Sequence, residues 1–318
     1  MMMTRTNFLK GLSGSLASIA LPACVGLPTG GTRKPRIALQ LYSIRTYIER
    51  VGIAKALEDV AAIGYAGVEV AGYDAKARTF YNATAPELDR LLRANGLELC
   101  GMHVSRTLLA PDAISSVCDY ARTCGNTTLI CPGSGNMPKG VTWANHHRCR
   151  DLALEGLDDH VRFLCDFYNR AAADGARHGC RVGIHNHQWE FLLRTSSGET
   201  LWDCFFSNTD PAVAMEQDVG WTTAAGFDPC EQYVKYPHRS PTLHAKENGY
   251  GCAGPFDAIL GEPGKNADGT SVKRVGWERL SPVAEADGVA WFVVECERHE
   301  DDLSAVGPSF EFLRRNGF

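Results

Sequence analysis

The chain has no apolar run approaching the ~18 residues of a membrane-spanning helix, although 44% of its 318 residues are hydrophobic. It also lacks an excess of basic charge: 32 lysines and arginines stand against 37 aspartates and glutamates, a net charge of −5. That balance speaks against a nucleic-acid partner and against an anionic membrane surface. Twelve cysteines are present, yet no CxxC pair occurs among them. Without paired spacing, a cluster of zinc-binding thiolates is not expected. Cys100, Cys131, Cys165, Cys180 and Cys296 sit inside apolar segments and read as buried free thiols acting as small hydrophobes. Finally, the first strand candidate leads into LYSIRTY rather than a glycine-rich phosphate loop. This counts against a doubly wound nucleotide-binding sheet.

The N-terminus differs in kind from the rest. TRTNFLKGLSGSLASIALPAC has a basic start, a weakly apolar stretch rich in Gly, Ala and Ser, and a small residue before Cys24. This is the layout of an export signal. TRTNFLK resembles the twin-arginine export motif with one arginine replaced, and LPAC resembles a bacterial lipobox that would place a lipid anchor on Cys24. Residues 25–35 read as a linker. The expectation is therefore an exported protein, periplasmic or membrane-anchored, with residues 1–35 outside the fold and residues 36–318 forming one domain.

From Arg36 onward, short apolar runs alternate with helical patterns. Strands are predicted at 37–43, 67–72, 97–105, 127–133, 182–187, 212–218, 240–247 and 288–297. Helices are predicted at 53–64, 85–96, 114–125, about 155–178 and 303–315. In the longest of these, Leu157, Val161, Leu164 and Tyr168 share one stripe. Alternating strands and helices imply parallel strands, and eight such units in about 280 residues match a single (β/α)8 TIM barrel.

The stretch VGIHNHQWEF raises the functional question, because an apolar strand there runs straight into polar side chains. Its histidines, His185 and His187, are two apart and so share a strand face. Other strand ends carry similar residues: Glu69, His103, Glu216 with Asp218, His244 with Lys246, and Glu295 with Glu297. In such barrels chemistry gathers at the C-terminal strand ends. Imidazoles mixed with carboxylates suit Mn²⁺, Co²⁺, Zn²⁺ or Fe²⁺ more than Ca²⁺.

These segments, with LQLYSIR, IGYAGVEVAGY, GMHVS, NTDPAVAMEQDVGW, DPCEQYVKYPHRSPTLHAKE and WFVVECE, resemble the sugar phosphate isomerase/epimerase family. That family has the xylose isomerase-like TIM barrel and also contains AP-endonuclease-type enzymes. The resemblance runs from about Ile37 to the C-terminus. It implies one divalent metal ion, Mn²⁺, Co²⁺, Zn²⁺ or Mg²⁺, held by His185, Asp218, His244 and Glu295. It also implies acid/base roles for His187, Lys246 and Glu295, and substrate contacts from Glu69, His103 and Trp221, with Trp189 as another ring-stacking candidate. The family's usual E-N-H on the fifth strand is H-N-H here, which replaces one of its paired carboxylates by His185. The implied function is α-proton abstraction on the carbonyl of a small carbohydrate, unphosphorylated if the protein is exported. A lyase or hydrolase acting on 3-keto-glycosides is the alternative, ahead of an abasic-site endonuclease or a non-catalytic sugar-binding protein.

Overall fold

Each apolar run becomes a strand, and each strand pairs in parallel with its neighbours in chain order. The computed structural model describes residues 34–133, 137–142, 145–152, 154–247, 259–262, 264, 269–296 and 301–318. The export-like segment, Cys24 and Glu297 lie outside the described residues.

The strands are β1 Arg36–Gln40, β2 Gly67–Ala71, β3 Glu98–His103 and β4 Thr128–Pro132. They continue with β5 Arg181–His185, β6 Ala214–Asp218, β7 Thr242–Ala245 and β8 Trp291–Val294. β8 pairs with β1, so the sheet closes into an eight-stranded parallel barrel with helices between strands. This is the (β/α)8 architecture.

The outer helices form where their apolar stripes can cover the barrel. Leu157, Val161, Leu164 and Tyr168 are all buried along the helix Leu157–Arg177. The helix Ala85–Ala94 starts on a capping box, in which Thr84 and Glu87 satisfy each other's backbone N–H groups. Cys100, Cys118, Cys124, Cys131, Cys149, Cys165, Cys180, Cys230 and Cys296 are buried.

The predicted strand 37–43 ends early, at Gln40, because the chain turns into a 3-10 helix at Leu41–Ile44. The Gln40 side chain caps that turn, its Oε1 accepting from the Tyr42 N–H at 3.1 Å. The predicted strand 288–297 contracts to 291–294, since Gly288 is the left-handed stop (φ 93°) of the helix Trp277–Asp287.

One irregularity decides what the third strand shows to the barrel interior. Val68 pairs with Leu99 but Glu69 pairs with Gly101, so β3 holds one extra residue, Cys100. Strict alternation would turn Cys100 and Met102 to the same face. Instead Cys100 packs inside with Ala38 and Val293, while Met102 joins the outer core. The bulge thereby brings His103 inward. Gly101 at this point makes room for the buried Glu69 side chain, since a Cβ there would collide with the Glu69 carboxylate.

Candidate metal centre

Period-two alternation sends Gln40, Glu69, Glu216, Asp218, Thr242 and His244 into the barrel. Lys246 and Glu295 follow just past the ends of β7 and β8. Glu69, Glu216, Asp218 and His244 have no exposed surface, and Lys246 has 1%. Charged groups buried this deeply must be compensated by one another.

The lower part of the cluster is a carboxylate–imidazole lattice. Glu69 Oε2 accepts from Gln40 Nε2 at 2.8 Å and lies 2.6 Å from His244 Nε2 and 3.1 Å from His103 Nε2. His103 Nε2 is 2.6 Å from Glu216 Oε2, and Thr242 Oγ1 donates to Glu216 Oε1. Above it, His244 Nδ1 is 3.0 Å from Glu295 Oε2, to which Lys246 Nζ donates at 3.2 Å. Lys246 Nζ also lies 3.9 Å from Asp218 Oδ2, and its charge sits 5.1 Å from the Trp221 ring centre. His185 stands between the two levels, with Nε2 3.9 Å from Asp218 Oδ2 and Nδ1 3.6 Å from Glu216 Oε2.

Local backbone chemistry fixes these positions. β6 runs directly into the helix Val219–Ala224, and Asp218 Oδ1 caps it by accepting from the Trp221 N–H at 2.8 Å. The Asn186 side chain clasps the same residue, donating to the Asp218 carbonyl (3.2 Å) and accepting from its N–H (2.9 Å). Asp218 Oδ2 is left buried without a hydrogen-bond partner, facing the cluster.

Electrostatics split the imidazoles into two kinds. Burial, with the His244 charge beside it, pushes His185 down to about 3, so it is neutral at ordinary pH. Enclosure also depresses His187 well below the usual histidine range, helped by His185 and Lys246. For His244 burial acts the same way, but Glu216, Glu295 and Glu69 outweigh it and raise its pKa well above normal. Burial raises Asp218 to about 7 despite Lys246. Burial also works against ionised Glu295, but Lys246 and His244 hold its carboxyl well below the usual range.

The structure brings the four sequence-predicted ligands together: donor atoms of His185, Asp218, His244 and Glu295 all lie within 4.8 Å of one another. The neutral His185 and the unpartnered Asp218 Oδ2 are the donors a divalent ion needs. In this arrangement His244 would offer Nδ1 while Glu69 holds Nε2, the carboxylate–histidine pairing that orients metal-binding imidazoles. His187 lies at the same mouth, stacked on Trp189 with ring centres 4.4 Å apart and planes at 8°. Trp221 is 5.5 Å from His187, and the half-buried His146 meets both indoles edge-on.

Residues 57–316 match the family described as xylose isomerase-like TIM barrel. The chain belongs to that family. No curated protein matches it in sequence. Among solved structures, this xylose isomerase-like barrel is similar to a sugar phosphate isomerase/epimerase from Parabacteroides distasonis, at 23% identity and a TM-score of 0.68 over 88% of this chain and 97% of that one. It is also similar to 3-keto-D-glucoside 4-epimerase from E. coli, with 15% identity and a TM-score of 0.62 over 89% of this chain and 100% of the other. A D-allulose 3-epimerase from Methylomonas sp., in complex with D-allulose, shares 13% identity and a TM-score of 0.58 over 89% and 97% of the two chains. At these identities the likeness is one of fold.

Glu216, Gln40, Thr242 and Asn186 are the parts of the centre that sequence reasoning did not assign. Glu216 carried a signal, since it lies two residues before Asp218 on one strand face. Gln40 is the last residue before the 3-10 turn and Thr242 lies two residues before His244, and nothing in their local sequence marks them as polar partners.

Proposed function

We propose that this barrel is a metal-dependent enzyme that removes a proton α to the carbonyl of a small unphosphorylated carbohydrate. The observation that carries the reading is the mouth constellation: His185, Asp218, His244 and Glu295 converge, with Lys246 and His187 beside them. A divalent ion held by those four residues supplies Lewis-acid polarisation of the carbonyl.

The protein groups divide the remaining work. Lys246 Nζ, held by Glu295, donates a hydrogen bond to a substrate oxygen as negative charge develops there. His187, beside His185 at the mouth and stacked on Trp189, takes the α-proton. Trp189 and Trp221 supply flat apolar walls for the carbon face of a sugar ring. Glu69 and His103 lie below, bonded to His244 and Glu216, and so act on substrate through those residues.

A second reading has its own support. His185 stands where a second carboxylate would make a symmetric acid/base pair, and as one of the four residues that would hold the ion it is not placed to carry a proton. One-sided proton removal suits loss of a β-substituent, as in cleavage of a 3-keto-glycoside, better than epimerisation. Two of the structural neighbours act on a 3-keto-glucoside and on allulose, so both substrate types belong in the test.

The full chain loaded with Mn²⁺ is incubated in D₂O with free ketoses and with 3-keto-glycosides, and followed by NMR. Deuterium entering the α-position supports the proposal, and release of the aglycone selects the second reading. Absence of exchange with every substrate, while the ion is bound, overturns it.

A further inference from the structure

We infer that the lower carboxylate–imidazole lattice is a second divalent-cation site, bridged to the mouth by shared histidines. His103, His185, Glu216 and His244 place donor atoms within 4.8 Å of one another, all buried. Glu69 Oε2 joins them, 2.6 Å from His244 Nε2 and 3.1 Å from His103 Nε2. An independent sign comes from His185. Its Nδ1 is buried, has no hydrogen-bond partner, and lies 3.6 Å from Glu216 Oε2. A buried polar atom in that state is rare in folded proteins and points to something the site is built to receive.

Two imidazoles belong to both sites by geometry. His185 turns Nδ1 to Glu216 and Nε2 to Asp218. His244 turns Nε2 to Glu69 and Nδ1 to Glu295. Each ring therefore turns one nitrogen downward and one upward, and with both ions bound each would bridge them as an imidazolate, its ring proton released to solvent. The lower site adds two fully buried carboxylates, Glu69 and Glu216, whose charges a dication would balance. Imidazole nitrogens with carboxylate oxygens favour Zn²⁺ or Co²⁺ over Ca²⁺ or Mg²⁺. The second ion would occupy the barrel interior below the substrate. Its role would be to set the charge and orientation of His185 and His244, with no contact to the reacting carbons.

This goes beyond the proposed function, which needs only the ion at the mouth, and the two are separable by experiment. Metal-stripped full-length protein is dialysed against Co²⁺, and bound cobalt is counted by elemental analysis in the wild type, Glu216→Gln and Asp218→Asn. The expected result is two ions per wild-type chain and one in each variant. The lower site is overturned if Glu216→Gln binds as many ions as the wild type. One ion in the wild type, lost in Glu216→Gln and kept in Asp218→Asn, upholds the lower site and refutes the mouth centre. Circular dichroism checks folding, and His103→Gln takes the place of Glu216→Gln if that variant is unfolded. Should neither fold, two ions in the wild type support the inference and one overturns it.

Discussion

The two ends of the barrel interior are built from the same eight strands and could hardly differ more. At the lower end Ala38, Cys100 and Val293 form a small apolar plug with Trp291, over which the Arg36 guanidinium sits at 3.9 Å. At the upper end the same strands carry four buried carboxylates, three buried imidazoles and a buried lysine. The plug lowers the free energy of the fold through burial alone. The charged end costs desolvation that its members only offset among themselves. Stability and chemistry are thus segregated along the barrel axis, and substitutions at the two ends should fail in different ways.

The sharpest test is Asp218→Asn, which keeps an acceptor for the Trp221 N–H but removes the charge. Activity should fall by roughly 10²–10⁴-fold together with loss of the mouth ion, while the melting temperature stays close to wild type. A variant that retains its ion would break the assignment. His187→Ala should cost a similar factor with the ion still bound, as expected for loss of a general base, and near-normal turnover would remove it from the mechanism.

A smaller effect is expected one level down. Glu69→Gln loosens the grip on His244 Nε2, and calorimetric titration should show metal affinity lower by about 10–100-fold. An unchanged affinity would mean that His244 needs no such support.

Acidity should reveal the same cluster. The Asp218 pKa is raised to about 7, so in the metal-free protein this group adds stability that is fully present below its ordinary carboxylate range and lost as pH rises through about 7. Its proton must leave before the ion binds. Apparent affinity should therefore drop about tenfold or more for each pH unit below 7, and a flat profile between pH 5 and 7 would contradict the raised pKa.

At the lower end Val293→Ala should cost about 1–3 kcal/mol in chemical denaturation, with turnover per folded molecule unchanged. A loss of activity there would show that the two ends are not independent. The smallest effect belongs to the surface, where removing the exposed Arg93–Asp89 pair should change stability by no more than about 0.5 kcal/mol.

Much of this was legible in the residues. All eight strands were, because a parallel barrel buries both faces and each strand reads as an apolar run. The convergence of His185, Asp218, His244 and Glu295 was legible because polar residues ending such runs have few other places to go. The depth of each side chain was not. Glu69 and His103 looked like residues that face a substrate, yet they sit beneath His244 and Glu216. Depth depends on the stagger between strands distant in sequence, which no local pattern encodes. Gln40 was obscured for a related reason, since its one side chain both ends β1 and reaches Glu69.

The extra residue in β3 keeps the count of that strand out of step with β2 on its two sides. A regular strand that kept Cys100 would carry a phase error, harmless in composition yet inverting everything downstream of it to the end of the strand. The Met102 thioether would then face Glu216, and the His103 ring would turn toward the helices outside. No chemical substitution at either position is needed for that exchange. The inward placing of His103 therefore hangs on the two-for-one pairing at Cys100 and Gly101, and deleting Cys100 would restore strict alternation with Met102 and His103 on the faces they now occupy.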